Sequence, residues 1–152
     1  MGTVAHPAGT MHDEEVRALL RQTRTVAVVG MSGNPDRDSY QVGAYLKARG
    51  YRVIPVNPAL KEVLGETAYP RLGAIPPAVR VDIVDVFRRS DAVPEIVEEA
   101  LARSPPPRAV WLQLTVRHPE SGPRLQASGV EFVQDHCIMQ EHRRLVAPES
   151  PG

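Results

Sequence analysis

The sequence predicts an α/β protein: a Rossmann-like, doubly wound, mainly parallel five-stranded sheet with helices on both faces. Three observations lead there. Short β-branched runs alternate with segments of helical periodicity, the pattern of βαβ units. The first run, Thr25–Val29 (TVAVV), is β-branched with only Ala27 excepted, the mark of a strand buried on both faces. It ends at Gly30, at the strand tip where open α/β sheets bind their ligands.

The elements follow in order. His12–Gln22 places Val16, Leu19 and Leu20 at i, i+3 and i+4, and Asp13, Glu14 and Glu15 suit a helix start. Ser39–Arg49 carries Val42, Tyr45 and Leu46 on one helical face and stops at Gly50, a C-terminal cap. Tyr51–Val56 is the second strand, although Pro55 cannot donate to a ladder. Lys61–Val79 is broken by Gly65, Pro70, Gly73, Pro76 and Pro77, so turns and at most one helical turn are expected. Val81–Phe87 is the third strand. A helix over Pro94–Arg103 takes its start signal from Ser90 or Asp91, with Pro94 in its first turn. Ala109–Leu114 and Val130–Val133 complete the sheet, and His118–Ser128 between them reads as a poor helix because of Gly122 and Pro123. Residues 1–11 and 147–152 are expected tails around one domain spanning 12–146.

Composition narrows the class. The 152 residues are 42% apolar and 24% charged, near the globular average. No apolar run approaches the ~20 residues of a membrane span, and the first ten residues lack the basic start and apolar core of a secretory signal. Cys137 stands alone, with no internal disulfide partner, which fits a reducing compartment. The expectation is a cytoplasmic protein. Eighteen basic residues balance 18 acidic ones, which argues against broad nucleic-acid binding. All the basic residues but Lys47 and Lys61 are arginine, a bias that base composition accounts for as readily as ligand chemistry.

The loops after the strands carry the candidate chemistry. Gly30-Met31-Ser32-Gly33-Asn34-Pro35-Asp36-Arg37-Asp38-Ser39 precedes the second helix. Its glycines admit backbone N–H groups to a phosphate, Ser32 and Ser39 offer hydroxyls, and Arg37 offers a planar fork. The plain alternative is a turn with Ser39 as an N-cap. The spacing is not G-x-G-x-x-G, and the second strand ends at Asn57-Pro58 where a dinucleotide site carries an acid. Phe87-Arg88-Arg89-Ser90 closes the third strand with an aromatic and two guanidinium groups. Asp82 and Asp85, three apart, face opposite sides and make no paired carboxylate site. Gln113, Leu114 and Thr115 end the fourth strand, as cleft lining or as a satisfied polar terminus. Asp135–His142 holds two His, a Cys and a Glu, yet matches no C-x-x-C or H-E-x-x-H spacing. A nucleophilic Cys137 would need a lowered pKa, so it reads as a buried packing residue.

Six ordered blocks, Val26–Val42 (VAVVGMSGNPDRDSYQV), Tyr51–Pro58 (YRVIPVNP), Val63–Pro70 (VLGETAYP), Val81–Ser90 (VDIVDVFRRS), Trp111–Leu114 (WLQL) and His136–Leu145 (HCIMQEHRRL), resemble the small CoA-binding protein family. These are stand-alone relatives of the nucleotide-binding domain of the succinyl-CoA synthetase alpha subunit. The resemblance covers about Val16 to Leu145 and implies a Rossmann-type domain with coenzyme A, or an acyl-CoA, in its cleft. It implies Gly30, Ser32, Arg37 and Ser39 at the phosphates, Asn57 and Pro58 near the adenosine, and Phe87 with Arg88 beside the cofactor. Lys61 matches a basic position after the Asn-Pro turn. Family members often carry Gly where this chain has Thr115. The synthetase's phosphohistidine belongs to a separate domain, so no catalytic role passes to His6, His12, His118, His136 or His142. The expected function is a CoA-binding module, without catalytic or metal-ligating residues. The alternatives are an NAD(P)- or Cys-dependent enzyme on the same fold, or an interaction scaffold with a vestigial cleft.

Overall fold

A strand that is apolar on both sides needs a helical layer over each face, and the chain supplies both. The computed structural model describes residues 11–147. The expected tails therefore lie, apart from Met11 and Ala147, outside the described residues, as does His6. Along the chain come α1 (Asp13–Gln22), β1 (Thr25–Val29), α2 (Asp38–Ala48), β2 (Arg52–Val56), β3 (Glu62–Val63) and β4 (Glu66–Thr67). Then follow β5 (Ile83–Val86), α3 (Val93–Leu101), β6 (Ala109–Leu112), α4 (Gly122–Ala127), β7 (Glu131–Val133) and α5 (Ile138–Leu145).

Five strands form a parallel sheet in the order β2-β1-β5-β6-β7. Alternate strand residues serve opposite cores. Val26, Val28, Ile83 and Trp111 pack under α1, α2 and α5 through Leu20, Leu46 and Ile138. Ala27, Val29, Val84, Val86 and Leu112 pack under α3 and α4 through Ile96, Val97 and Leu125. The order reverses between β1 and β5, so the chain leaves β1 toward α2 on one face and β5 toward α3 on the other. That divergence opens a crevice at the strand tips.

Several expectations are corrected in detail. Pro55 is accommodated because β2 is the sheet edge: it pairs with β1 on one side, while Tyr69 N donates to the Pro55 carbonyl at 3.0 Å on the other. The Lys61–Val79 segment contains a β3–β4 hairpin besides its turn of 3₁₀ helix at Leu72–Ala74. Its two-residue loop, Leu64-Gly65, has φ of 55° and 75°, the double positive φ of a type I′ turn. Gly122 and Pro123 do not prevent a helix, because both sit in the first turn of α4, where a proline's missing N–H costs nothing. α5 closes the fold: Ile138 and Leu145 are buried, and Arg144 grips both carboxylate oxygens of Asp13 on α1 at 2.8 and 2.9 Å.

The opposite end of the central strands is tied by Asp82, 5% exposed just before β5. One carboxylate oxygen accepts the backbone N–H groups of Arg24 and Thr25 at 2.9 and 3.0 Å, and the other faces Arg80 and Arg108 at 3.6 and 3.4 Å. Asp82→Ala leaves the entry to β1 unsatisfied and should cost about 2–4 kcal/mol in urea denaturation, since a buried bond to a charged group is worth about 1.5–3 kcal/mol. A loss under about 1 kcal/mol would mean that water replaces the carboxylate.

Candidate functional site

At the crevice, β1 ends in Gly30 with φ 87°. A Cβ at this position would lie 2.7 Å from the Phe87 carbonyl oxygen, so only glycine lets the two strand tips approach this closely. The following loop is braced from within. Ser39, buried in the first turn of α2, accepts the Ser32 N–H on its hydroxyl at 2.8 Å, and the Ser32 hydroxyl accepts the Asn34 N–H at 3.0 Å. The N-cap of α2 is Arg37 rather than Ser39, and its side chain makes no cap bond. The Arg37 guanidinium is exposed and makes no ion pair among the described residues. From the β2 side, the Asn57 amide donates to the Met31 carbonyl at 2.9 Å and its oxygen accepts the Ala59 N–H at 2.8 Å. Asn57 therefore clamps two ligand-side turns together.

Two lobes flank this loop and meet at Phe87-Arg88. The first, about 560 Å³, lies between the tips of β1 and β2, the 70–72 segment and α3, and is lined by Gly30, Asn57, Pro58, Arg71 and Glu95. The second, about 550 Å³, lies between α2, the tips of β5 and β6, and the start of α5, with Gln41, Val42, Leu114, Cys137 and Gln140 on its walls. Each is within the ~300–1,000 Å³ of a small-molecule site. Gly30, Asn57, Pro58, Phe87 and Arg88 thus come together as lining residues. Ser32, Arg37 and Ser39 form the loop between the lobes. Lys61 is exposed and borders neither lobe.

Sequence reasoning offered Gln113, Leu114 and Thr115 as cleft lining and missed the walls that α2 and α5 add, Gln41, Val42 and Gln140. Gln113, 3% exposed, donates to the His136 carbonyl at 3.2 Å and accepts the Ile138 N–H at 3.3 Å, so it both lines the lobe and satisfies the start of α5. Cys137 is the N-cap of α5 and is buried against the lobe wall. Burial pushes its thiol pKa up, and the charges of Asp85 and Asp38 add to the rise, against the opposing pull of the Gln140 and Met139 N–H groups. The signal for α5 lay in the 138-142-145 spacing, which is helical. Thr115 explains its own departure from the family: its φ is 71°, a left-handed backbone that favours glycine. Asp135 holds it there by accepting the Thr115 N–H at 2.6 Å. This bond, then Arg117, keep the Asp135 carboxyl below the usual range.

On β5, in register with Val28 and Trp111, Asp85 is fully buried and neither carboxylate oxygen has a hydrogen-bond partner. Burial alone holds its pKa well above the usual carboxylate range. The other titratable groups of the C-terminal segment diverge. His136 is exposed and donates from Nδ1 to the Gln134 carbonyl at 2.6 Å, while His142 is buried and shares a 2.8 Å bond with the Tyr45 hydroxyl. Among the described residues, no group of three His, Cys, Asp or Glu side chains converges as a metal site.

A two-lobed crevice at the switch point of a doubly wound sheet defines a nucleotide-type ligand-binding domain. Comparison with known proteins narrows the class: residues 24–143 match the model of the CoA binding domain, and the chain belongs to that family. It is 37% identical over 128 residues to the uncharacterized protein YneT of Bacillus subtilis (strain 168), covering 84% of this chain and 92% of the relative. The structure of cell-free ID.343 from Thermus thermophilus is 43% identical, with a TM-score of 0.81 and coverage of 89% of this chain and 99% of that one. A hypothetical protein from Pyrococcus horikoshii OT3 is 34% identical, with a TM-score of 0.84 and coverage of 95% and 99%. No helix among the described residues is long and apolar enough to cross a membrane.

Two stability measurements test this geometry. Thr115→Gly relieves a left-handed strain of about 1–2 kcal/mol against an entropic cost of about 0.5–1 kcal/mol. Urea denaturation should show a net gain of about 0.5–1 kcal/mol, and a loss would mean that the threonine side chain makes a compensating contact. For Asp85, a folded pKa raised above the unfolded one leaves its contribution intact below the ordinary aspartate range, about 4. The contribution is then lost as pH rises toward the folded pKa. The stability of Asp85→Asn relative to the parent should therefore rise with pH from about 4 and level off above the folded pKa. A difference that stays flat from about pH 4 to 8 would contradict a buried acid at this position.

Proposed function

We propose that this protein binds coenzyme A, free or acylated, through the loop after β1, and that it does so as a binding module with no reaction of its own. One observation carries the reading: two lobes of similar volume joined at Phe87-Arg88, with the loop that carries the exposed Arg37 running from Gly30 in one lobe to Asp38 in the other. Coenzyme A has the matching shape, a nucleotide at one end, a diphosphate in the middle and a thiol-tipped arm carrying two amides at the other. The β2-side lobe suits the adenosine, with Asn57 and Pro58 on its wall. Ser32, the positive φ at Gly30 and Arg37 suit the diphosphate, while Ser39 shapes the loop and keeps a hydroxyl hydrogen to donate. The α2/α5 lobe suits the arm, since it mixes Val42, Phe87 and Leu114 with the amides of Gln41 and Gln140. Leu114 is 49% exposed, the large apolar side chain most open to solvent among the described residues. Lys61 remains a candidate only for an outlying phosphate, since it stands away from both lobes. Membership of the CoA binding domain family supports the same ligand.

A dinucleotide reading is less well supported. The side chain that follows β2 is the amide of Asn57, and both of its ends are occupied by the Met31 carbonyl and the Ala59 N–H. No acid stands there to take ribose hydroxyls. A reducing cytoplasm, where coenzyme A is used, is the setting the binding-module reading implies.

Calorimetric titration of CoA into the full chain and into Arg37→Ala is the test. The substitution removes a charge-assisted contact of about 1.5–3 kcal/mol, roughly a ten- to hundred-fold loss of affinity, with the ligand-free melting temperature unchanged. Equal affinity in the two proteins would remove the loop from the site. Tighter binding of NAD than of CoA would overturn the reading altogether.

A further inference from the structure

The far wall of the α2/α5 lobe carries an apolar side chain that the fold displays instead of burying. Gln113 to Val116 make a turn at the tip of β6, closed by the Val116 N–H donating to the Gln113 carbonyl at 2.9 Å. Its third residue, Thr115, has φ 71°, the positive value of a type II turn that glycine ordinarily supplies. Leu114 takes the second position, between two pinned neighbours. The Gln113 side chain donates to the His136 carbonyl and accepts the Ile138 N–H, and the Thr115 N–H donates to Asp135 at 2.6 Å. Asp135 is left-handed too, with φ 57°, and accepts from Arg117 at 3.1 Å. Among the described residues, left-handed backbone outside glycine occurs at Leu64, Thr115 and Asp135, and two of these meet in a single hydrogen bond. Backbone strain persists only where the surroundings enforce it, and it clusters at ligand sites. Here it holds Leu114, 49% exposed, on the lobe wall.

We propose that the α2/α5 lobe receives the acyl group of a short-chain acyl-CoA, and that Leu114 is the specificity-determining residue that favours an apolar chain over a free thiol or a charged acyl group. The inference rests on the reading that CoA binds here with its arm in this lobe. Strand order says which part of the ligand reaches Leu114. From β2 across β1 and β5 to β6, the crevice runs from the adenosine-side lobe through Phe87-Arg88 into the α2/α5 lobe, so the β6 tip lies on the side away from the junction. The arm ends in the thiol, and a group esterified to it continues toward that tip. The charged residues lining the lobe, Asp38, Arg88 and Arg89, come from the start of α2 and the end of β5. The β6 and α5 side contributes Leu114, Val116 and Met139 beside the uncharged Cys137 and Gln140. A methylene there leaves water for an apolar wall, whereas a terminal carboxylate would be desolvated with no cation on that wall to meet it. Burial raises the Cys137 thiol pKa, so the sulfur at this end stays protonated and is a poor nucleophile toward a thioester beside it.

Calorimetric titration of CoA, acetyl-CoA, butanoyl-CoA and succinyl-CoA into the full chain and into Leu114→Asn is the test. Butanoyl and succinyl groups have the same four-carbon length and differ in the terminal charge. A methylene fully removed from water tightens binding roughly four-fold, so butanoyl-CoA should bind about ten-fold more tightly than acetyl-CoA. It should also bind more tightly than free CoA, and at least about ten-fold more tightly than succinyl-CoA. In Leu114→Asn the ratio of butanoyl-CoA to acetyl-CoA affinity should fall below about three-fold. The ratio is the readout because any effect on the shared CoA portion cancels in it. The side chain is half exposed, so the ligand-free melting temperature should stay that of the parent. Equal affinities for CoA and butanoyl-CoA would overturn the acyl preference and leave CoA binding standing. Tighter binding of succinyl-CoA than of butanoyl-CoA would overturn the apolar preference. An unchanged ratio in Leu114→Asn would remove Leu114 as its source. Failure of all four ligands to bind would sink the functional reading itself.

Discussion

The carbonyl of Phe87 occupies the space where any side chain at position 30 would begin, 2.7 Å from a Cβ there. Much of the molecule's ligand-facing geometry depends on that close approach. With Gly30 at φ 87°, the chain turns off β1 directly over the tip of β5 and enters the loop that α2 begins. The chain leaving β5 goes to the other face, toward α3. Two divergent loops from two touching strands leave a lobe on each side, and the shared residues Phe87 and Arg88 are what the lobes have in common. A side chain at position 30 would push the strand tips apart.

Asp82 and Asp85 show how far tertiary placement overrides residue type. Three residues apart, both are buried carboxyl groups. Asp82 meets two backbone N–H groups and two guanidinium groups, so its charge is repaid and it fastens three central strands at their N-terminal end. Asp85 meets Val28 and Trp111 along the strands and no donor at all, so burial favours its protonated form. One acid is structural cement. The other is an energetic liability within the sheet face that α2 and α5 cover.

The C-terminal segment makes a similar point about spacing. His136, Cys137, Glu141 and His142 are crowded in sequence, but helical rotation of about 100° per residue sends them to different neighbours. Cys137 turns to the lobe. Glu141 pairs with Arg144 at 2.6 Å. His142 goes inward between Tyr45 and Tyr51, edge-on to both rings at 5.4 and 5.7 Å, where burial and then the charge of Arg49 lower its pKa. Crowding of metal-type residues therefore produced no ligand cluster but a capping helix, with Cys137 and Gln140 on the lobe wall.

The sequence by itself determined the fold class and most of what the β1 loop is made of. Thr25–Val29 has a single reading because five consecutive apolar β-branched or small residues must be covered on both faces, and Gly30, Ser32, Arg37, Asn57 and Phe87 then fall at strand tips by connectivity alone. The β3–β4 hairpin and α4 were hidden, the first because Leu64 is an unusual residue for a positive φ, the second because Gly122 and Pro123 break helices only away from a first turn. The second lobe was decided in three dimensions. Its walls come from α2, β5, β6 and α5, segments spread from Asp38 to Gln140, and no local pattern records which of their side chains converge. The isolation of Asp85 is likewise a property of its neighbours. A carboxyl's protonation depends on the donors and water within a few ångströms, and those are supplied by β1, β6 and the helices above them rather than by anything written beside it in the chain.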